Sequence, residues 1–250
     1  MFTARPDGSG VRPLLAGSGG EPRQWSPDGT LLAVIATNHG PLVGSTVRAD
    51  GTHQHVFRLP PGAPPSLPCG IWSPDAQRLA CEGFDDAHPD RAGMYTVRAS
   101  DGLQLVQVTK HRDVPCSYSP DGTRILFLRL TAEGEEHNQL MTVQVDGSHE
   151  HLITQSAVGL SCDWSPDGRT VLSEMKGSLV LFDPSGTPTP IPIATGGSAG
   201  RGAFSADGSH IIFSFKVGAQ EDIYTVRTDG SDLTQITDTP ANEEFGDWGR

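Results

Sequence analysis

The chain has no long apolar run. Its longest uninterrupted stretch, Leu31 to Ala36, is far too short to cross a bilayer as a helix, so no membrane span is expected. Lysine is scarce: three residues stand against fifteen arginines. Lys plus Arg total 18 against 30 Asp plus Glu, which gives a formal net charge of −12. Reading a phosphate backbone takes a basic footprint, so nucleic acid is not an expected partner. No charged segment followed by an apolar one stands at the N-terminus, which reads directly into a strand, so no secretory leader is expected in this sequence. That leaves a cytoplasmic protein, or a mature domain whose leader has been removed.

Cysteine is sparse as well, with Cys69, Cys81, Cys116 and Cys162 only. Cys116 and Cys162 each lie two residues before an aromatic of the repeat described below, and Cys69 lies three before one. Bridging needs Cα atoms within about 7 Å, a separation not expected between neighbouring inner strands. The four are therefore read as small buried thiols rather than as disulfides or a metal site.

What the chain has in quantity is Gly (30) and Pro (20), placed at fixed positions of a repeat. Trp164-Ser165-Pro166-Asp167-Gly168 recurs as Trp25-Ser26-Pro27-Asp28-Gly29, Trp72-Ser73-Pro74-Asp75-Ala76, Tyr118-Ser119-Pro120-Asp121-Gly122 and Phe204-Ser205-Ala206-Asp207-Gly208. Trp248 stands where a sixth copy would begin, and the aromatics are spaced 47, 46, 46, 40 and 44 residues apart. A period of this length indicates a repeat architecture. Pro presets the first turn angle, Asp tolerates the second, and Gly accepts the left-handed geometry that follows, which makes a tight hairpin. A second hairpin signal follows each copy, as in Thr46 to Gly51, Tyr95 to Gly102, Met141 to Gly147, Leu179 to Gly186 and Tyr224 to Gly230; Phe2 to Gly8 is another. Two hairpins per repeat make a four-stranded sheet, and radial repetition of such sheets is a β-propeller.

These repeats resemble the WD40-like, or PD40, repeats of TolB-like six-bladed propellers, over essentially the whole chain. The expected fold is all-β, a single domain with complete repeats near residues 21–66, 67–112, 113–158, 159–198 and 199–240. Residues 1–20 and 241–250 are expected to close the ring in one mixed sixth blade; no second strand is expected for it here, so that either it is three-stranded or the chain is cut short. The resemblance implies protein–protein interaction and a periplasmic or extracellular setting. A separate N-terminal domain such as TolB itself carries is not expected in this sequence, nor is a following hydrolase domain like that of prolyl oligopeptidase-type enzymes.

In a propeller the 1–2 and 3–4 turns share one face, and the 4–1 and 2–3 connections share the other. The second face gathers the irregular segments: Pro60 to Pro68, Phe84 to Gly93 and Thr131 to Gln139. Long loops on a rigid scaffold carry function. The 2–3 loops of three consecutive blades supply His39, His88 and His137, with Asp85, Asp86, Asp90, Glu133, Glu135 and Glu136 around them. This is the candidate ligand-binding face, for a protein or a small molecule. Its bland reading is a solvated acidic rim, since no tight metal-ligand spacing is present.

Glu21 and Glu244 both lie four residues before a repeat aromatic, in blades that become neighbours on ring closure, with Asn242 and Glu243 beside them. They are candidate ligands for calcium or another divalent metal at the channel mouth, since oxygen ligands suit hard ions. Some six-bladed phosphotriesterases and lactonases hold calcium in such a place. The alternative function is therefore a metal-dependent hydrolase acting there, with His111 and Asp113 as candidate catalytic residues. The main expectation is a non-catalytic, monomeric binding scaffold. Gly196-Gly197-Ser198-Ala199-Gly200 matches Gly-x-Ser-x-Gly but runs into a repeat strand instead of a helix, so it makes no nucleophile elbow. His53-x-His55 and His149-x-His151 are read as surface pairs.

Overall fold

The computed structural model describes the chain except residues 6–7, 16–19, 37–40, 132–136, 184–185, 192–196, 244–246 and 248–250, and the side chains of residues 156–160. The described residues form an all-β propeller. A two-stranded sheet at the start pairs β1 (Phe2–Thr3) with β2 (Arg12–Pro13). The first blade is β3 (Gly20–Trp25), β4 (Leu31–Ala36), β5 (Val43–Arg48) and β6 (His55–Val56). The second is β7 (Cys69–Trp72), β8 (Arg78–Gly83), β9 (Gly93–Arg98) and β10 (Val106–Gln107). The third begins with β11 (Asp113–Tyr118), β12 (Arg124–Arg129) and β13 (Asn138–Gln144). Then β14 (His151–Trp164) serves as its outer strand and, without a break, as the inner strand of the fourth blade. The fourth continues with β15 (Val171–Met175), β16 (Ser178–Phe182) and β17 (Pro188–Pro190). The fifth is β18 (Ser198–Phe204), β19 (His210–Val217), β20 (Gln220–Arg227) and β21 (Thr234–Gln235).

The described residues thus form five four-stranded blades rather than the expected six. Of the expected mixed sixth blade, β1 and β2 form a two-stranded sheet of their own, while its inner strand was expected at residues 244–248, nearly all outside the described residues. Two sets of contacts place the N-terminal pair between the fifth blade and the first. On the outer rim, a Cβ at Gly8 would lie 2.6 Å from the Ile236 carbonyl oxygen, and one at Gly51 would lie 2.2 Å from that of Leu14. These turns need glycine because the backbone of the adjacent sheet occupies the Cβ position. Leu14 also joins Leu32, Val34 and Val47 in a buried cluster.

The repeated turns have one construction. Each Ser hydroxyl donates to the Asp two residues on at 2.6–2.7 Å, and that Asp accepts the N–H two residues beyond itself. The Gly position is left-handed throughout, and Ala76 takes the same conformation at φ 57°. The aromatics before these turns fill the seams between blades: Trp72, Tyr118, Trp164 and Phe204 are 5–8% exposed. Each anchors a separate interblade cluster, so the core is a ring of seams and not one central mass.

The cysteine expectation is overturned. Cys69 bridges Cys81 and Cys116 bridges Cys162, and among the described residues no thiol is free. Cys69 and Cys81 are direct cross-strand partners in β7 and β8. Cys116 and Cys162 lie on the inner strands of adjacent blades, with Cα atoms 5.2 Å apart. Inner strands converge on the channel, so equivalent positions on neighbouring blades come within bridging distance.

Candidate functional site

The loop-bearing face is built around one buried carboxylate. Phe84 to Gly93 leaves β8, turns at Asp85 and passes through a short 3₁₀ turn, Pro89–Arg91, before β9. Asp85 is 5% exposed. Its Oδ1 accepts the N–H groups of Ala87 and His88 at 3.2 and 3.0 Å and lies 3.3 Å from His88 Nδ1. Its Oδ2 has no hydrogen bond but forms an ion pair with Arg91 Nη1 at 3.0 Å. Desolvation pushes this carboxyl upward, yet the His88 N–H, the His88 ring and Arg91 together outweigh it and hold the pKa below the usual carboxylate range.

Arg91 carries the order outward. Its Nη2 donates to the carbonyl oxygens of Ala63 and Gly62 in the proline-rich segment that leads out of the first blade. The Tyr95 hydroxyl donates to the Arg91 carbonyl at 2.7 Å. One guanidinium therefore clamps the 4–1 segment of the first blade onto the 2–3 loop of the second. Two long loops are thereby held in one shape, with Asp86, His88 and Asp90 exposed on top.

Further along the same face, Asp113 is fully buried and takes a two-pronged ion pair from Arg129, both contacts at 2.9 Å. Arg129 also reaches Glu150 at 2.9 Å. Such a fork is the strong form of charge-assisted bond, and it raises the Arg129 pKa further. His111, two residues before Asp113, is exposed. Two other carboxyls are pushed up to about 7, mainly by burial. Glu82 is partly offset by Arg23 and Arg112, and Glu174 by Arg201.

The remaining sequence candidates are dispersed. Glu21 is exposed and pairs with Arg23 at 3.5 Å. Asn242 Oδ1 accepts the Glu221 N–H at 3.1 Å, and the Glu243 N–H donates to the Glu221 carbonyl at 2.8 Å. Both residues are thus docked on the 2–3 hairpin of the fifth blade. His137 is exposed, while His39, Glu133, Glu135, Glu136 and Glu244 lie outside the described residues. Among the described residues, no group of three or more His, Cys, Asp or Glu is placed to hold a metal ion. Ser198 begins strand β18, so the Gly-x-Ser-x-Gly match has no elbow.

A second repeat position, unread in the sequence, organises the channel. The residue just before the repeat aromatic accepts the backbone N–H of the next blade's aromatic. Gln24 does so for Trp72 at 2.9 Å, Ser117 for Trp164 at 2.9 Å and Asp163 for Phe204 at 2.9 Å. Asp247 does the same for Trp25 at 2.8 Å, across 222 residues of chain. The available signal was a polar residue at that position in four of six copies.

No protein-family model matches the chain. The Tol-Pal system protein TolB of Anaeromyxobacter dehalogenans (strain 2CP-C) is 29% identical over 130 residues, which span 50% of this chain and 29% of that protein. The structure of putative TolB from Agrobacterium tumefaciens superposes with a TM-score of 0.78 at 16% identity, covering 94% of this chain and 86% of that one. TolB from Acinetobacter baumannii superposes at 0.71 and 17% identity, covering 94% and 58%. The chain has the β-propeller fold of these TolB structures. The chain spans less than a third of the length of the curated relatives it matches. No helix among its described residues is long and apolar enough to cross a membrane.

Proposed function

We propose that this TolB-like propeller is a non-catalytic scaffold that binds a partner protein on its loop-bearing face, with the ring closed at a sixth position through Asp247. The observation that carries the reading is the Arg91 clamp. It orders two long loops from different blades into one surface before any partner arrives, which lowers the entropy cost of docking. Asp113 supports a structural reading of its neighbourhood, because its carboxylate is committed to Arg129 instead of facing a substrate. Ring closure is supported by the Asp247 bond to Trp25, which repeats the joint found between interior blades.

The relatives are named as Tol-Pal system proteins. By that likeness the partner of this chain is a component of a Tol-Pal-type assembly. Calorimetry with the purified Pal-type protein of the same organism tests this. Saturable binding is expected, weakened at least about tenfold by Arg91→Ala, which releases both loops. No heat of binding from the wild-type chain would sink the partner assignment. Equal binding by Arg91→Ala would remove the loop face as its site.

A further inference from the structure

Strand β1 is built as the third strand of a repeat. Its turn closes with the Gly8 N–H donating to the Arg5 carbonyl, as Gly51 donates to Arg48 and Gly230 to Arg227. Its register against β2 is also that of the complete blades: Thr3 faces Arg12 as Thr46 faces His55 and Thr225 faces Thr234. In the first, second and fifth blades the third strand has a neighbour on each side: β4 and β6 for β5, β8 and β10 for β9, β19 and β21 for β20. Among the described residues β1 pairs with β2 alone. Asp247, through its joint to Trp25, holds the first-strand place one position further in.

Burial marks the same edge. Ala4 stands at the position of Val47, Val97, Val143 and Val226, which are all 0% exposed, yet Ala4 itself is exposed. Phe2 stands at the position of Ser45, Tyr95 and Met141, which are 0–6% exposed, whereas Phe2 is 69% exposed. In the complete blades the second strand lies against these positions. Leu32, Leu79, Ile125 and Ile211 are the cross-strand partners of the four valines, and Val34, Cys81 and Phe127 those of Ser45, Tyr95 and Met141. A strand edge with unpaired backbone groups and exposed apolar side chains is a template for a further strand.

We infer that the edge formed by residues 1–5 accepts an extended segment of a partner protein, which adds to β1 as an antiparallel second strand. The chain's own second strands define its chemistry: an aliphatic side chain opposite Ala4 and a large apolar one two residues later, opposite Phe2. Main-chain hydrogen bonds to β1 supply affinity, and the two apolar positions supply specificity. A charged residue at either position would be buried without a partner. Strand β1 is no part of the loops that Arg91 joins, so this surface is separate from the partner face proposed above.

The probe is a fluorescein-labelled peptide with the sequence of residues 123–130, because Ile125 and Phe127 already fill these two places in the third blade. Its anisotropy should rise saturably on titration with the full chain, and deuterium exchange of the amides of residues 2–5 should slow. The same peptide carrying Leu126→Pro and Leu128→Pro cannot complete a ladder and should not bind. Ala4→Glu in the full chain should weaken binding at least about tenfold. Its melting temperature should match wild type, since Ala4 is exposed in the unbound chain. The inference is overturned if the probe does not bind, if the proline peptide binds equally, or if Ala4→Glu leaves its affinity unchanged. Exchange protection confined to residues 124–144 would also overturn it, since the probe would then be replacing β12. Sedimentation that finds a dimer dispersed by Ala4→Glu would assign the edge to a second copy of this chain and overturn the partner segment.

Discussion

Reducing the Cys116–Cys162 bridge should weaken the fold more than any single surface change. The bridge closes 46 residues of chain and joins the inner strands of two adjacent blades. In the chain-entropy treatment a loop of that length costs the unfolded state about 4 kcal/mol of freedom at 25 °C. Cys69–Cys81 spans 12 residues and, in the same treatment, contributes about 3 kcal/mol. Both sulfurs of the longer bridge pack in or against the seam that holds Trp164, and reduction leaves those atoms in place. The loss should therefore come mainly from the unfolded state. The assay is guanidinium unfolding followed by tryptophan fluorescence, comparing wild type, Cys116→Ala with Cys162→Ala, and wild type under reductant. With a slope of about 4–5 kcal/mol/M for a chain of this size, the midpoint should fall by about 1 M in the alanine variant. An alanine variant within 1 kcal/mol of wild type, or intact mass showing four free thiols in protein purified without reductant, would refute the reasoning.

Three further outcomes are expected. Asp247→Ala should cost about 1.5–3 kcal/mol, the range for a charge-assisted hydrogen bond, and Asp163→Ala a similar amount; a neutral Asp247→Ala in thermal denaturation would mean that the last repeat does not close the ring. Trp164→Ala should lose about 3–5 kcal/mol in the same experiment, because the indole is 92% buried between the third and fourth blades. Stability should peak near pH 4–5, as two opposed limbs require. The raised pKa values of Glu82 and Glu174, about 7, mean that the native state holds protons the unfolded chain has released, so stability falls as pH rises from about 4.5 to about 7. The depressed turn aspartates act oppositely: their contribution is present above about pH 4 and is lost as pH falls toward about 2, where Asp207 titrates. Melting temperatures that climb between pH 4.5 and 7, or that are unchanged there by Glu82→Gln with Glu174→Gln, would contradict the upper limb.

The loops show how far a candidate site could be read in one dimension. Their location followed from length and proline content, and Phe84 to Gly93 does face the same side as Pro60 to Pro68, bridged by Arg91. The clamp itself was illegible, because Arg91 and Ala63 are 28 residues apart and nothing local marks either one. The metal-ligand candidates Asn242 and Glu243 were named as sequence neighbours of Glu244, whereas their partner Glu221 is set by how the chain crosses the fifth blade.

The sequence by itself determined the blade. Turn chemistry is local: a Ser, an Asp and a left-handed position within five residues close the hairpin wherever they occur, so five copies announced five sheets. The aromatic ahead of each turn likewise fixed what would be buried between them. Only the tertiary structure decided how the blades meet. The convergence of inner strands on the channel brought Cys116 to Cys162, and it set Asp247 against Trp25. It also gathered carboxylates from distant repeats around one cavity. Those distances depend on the curvature of the ring, a sum over all the seams, which no single repeat encodes.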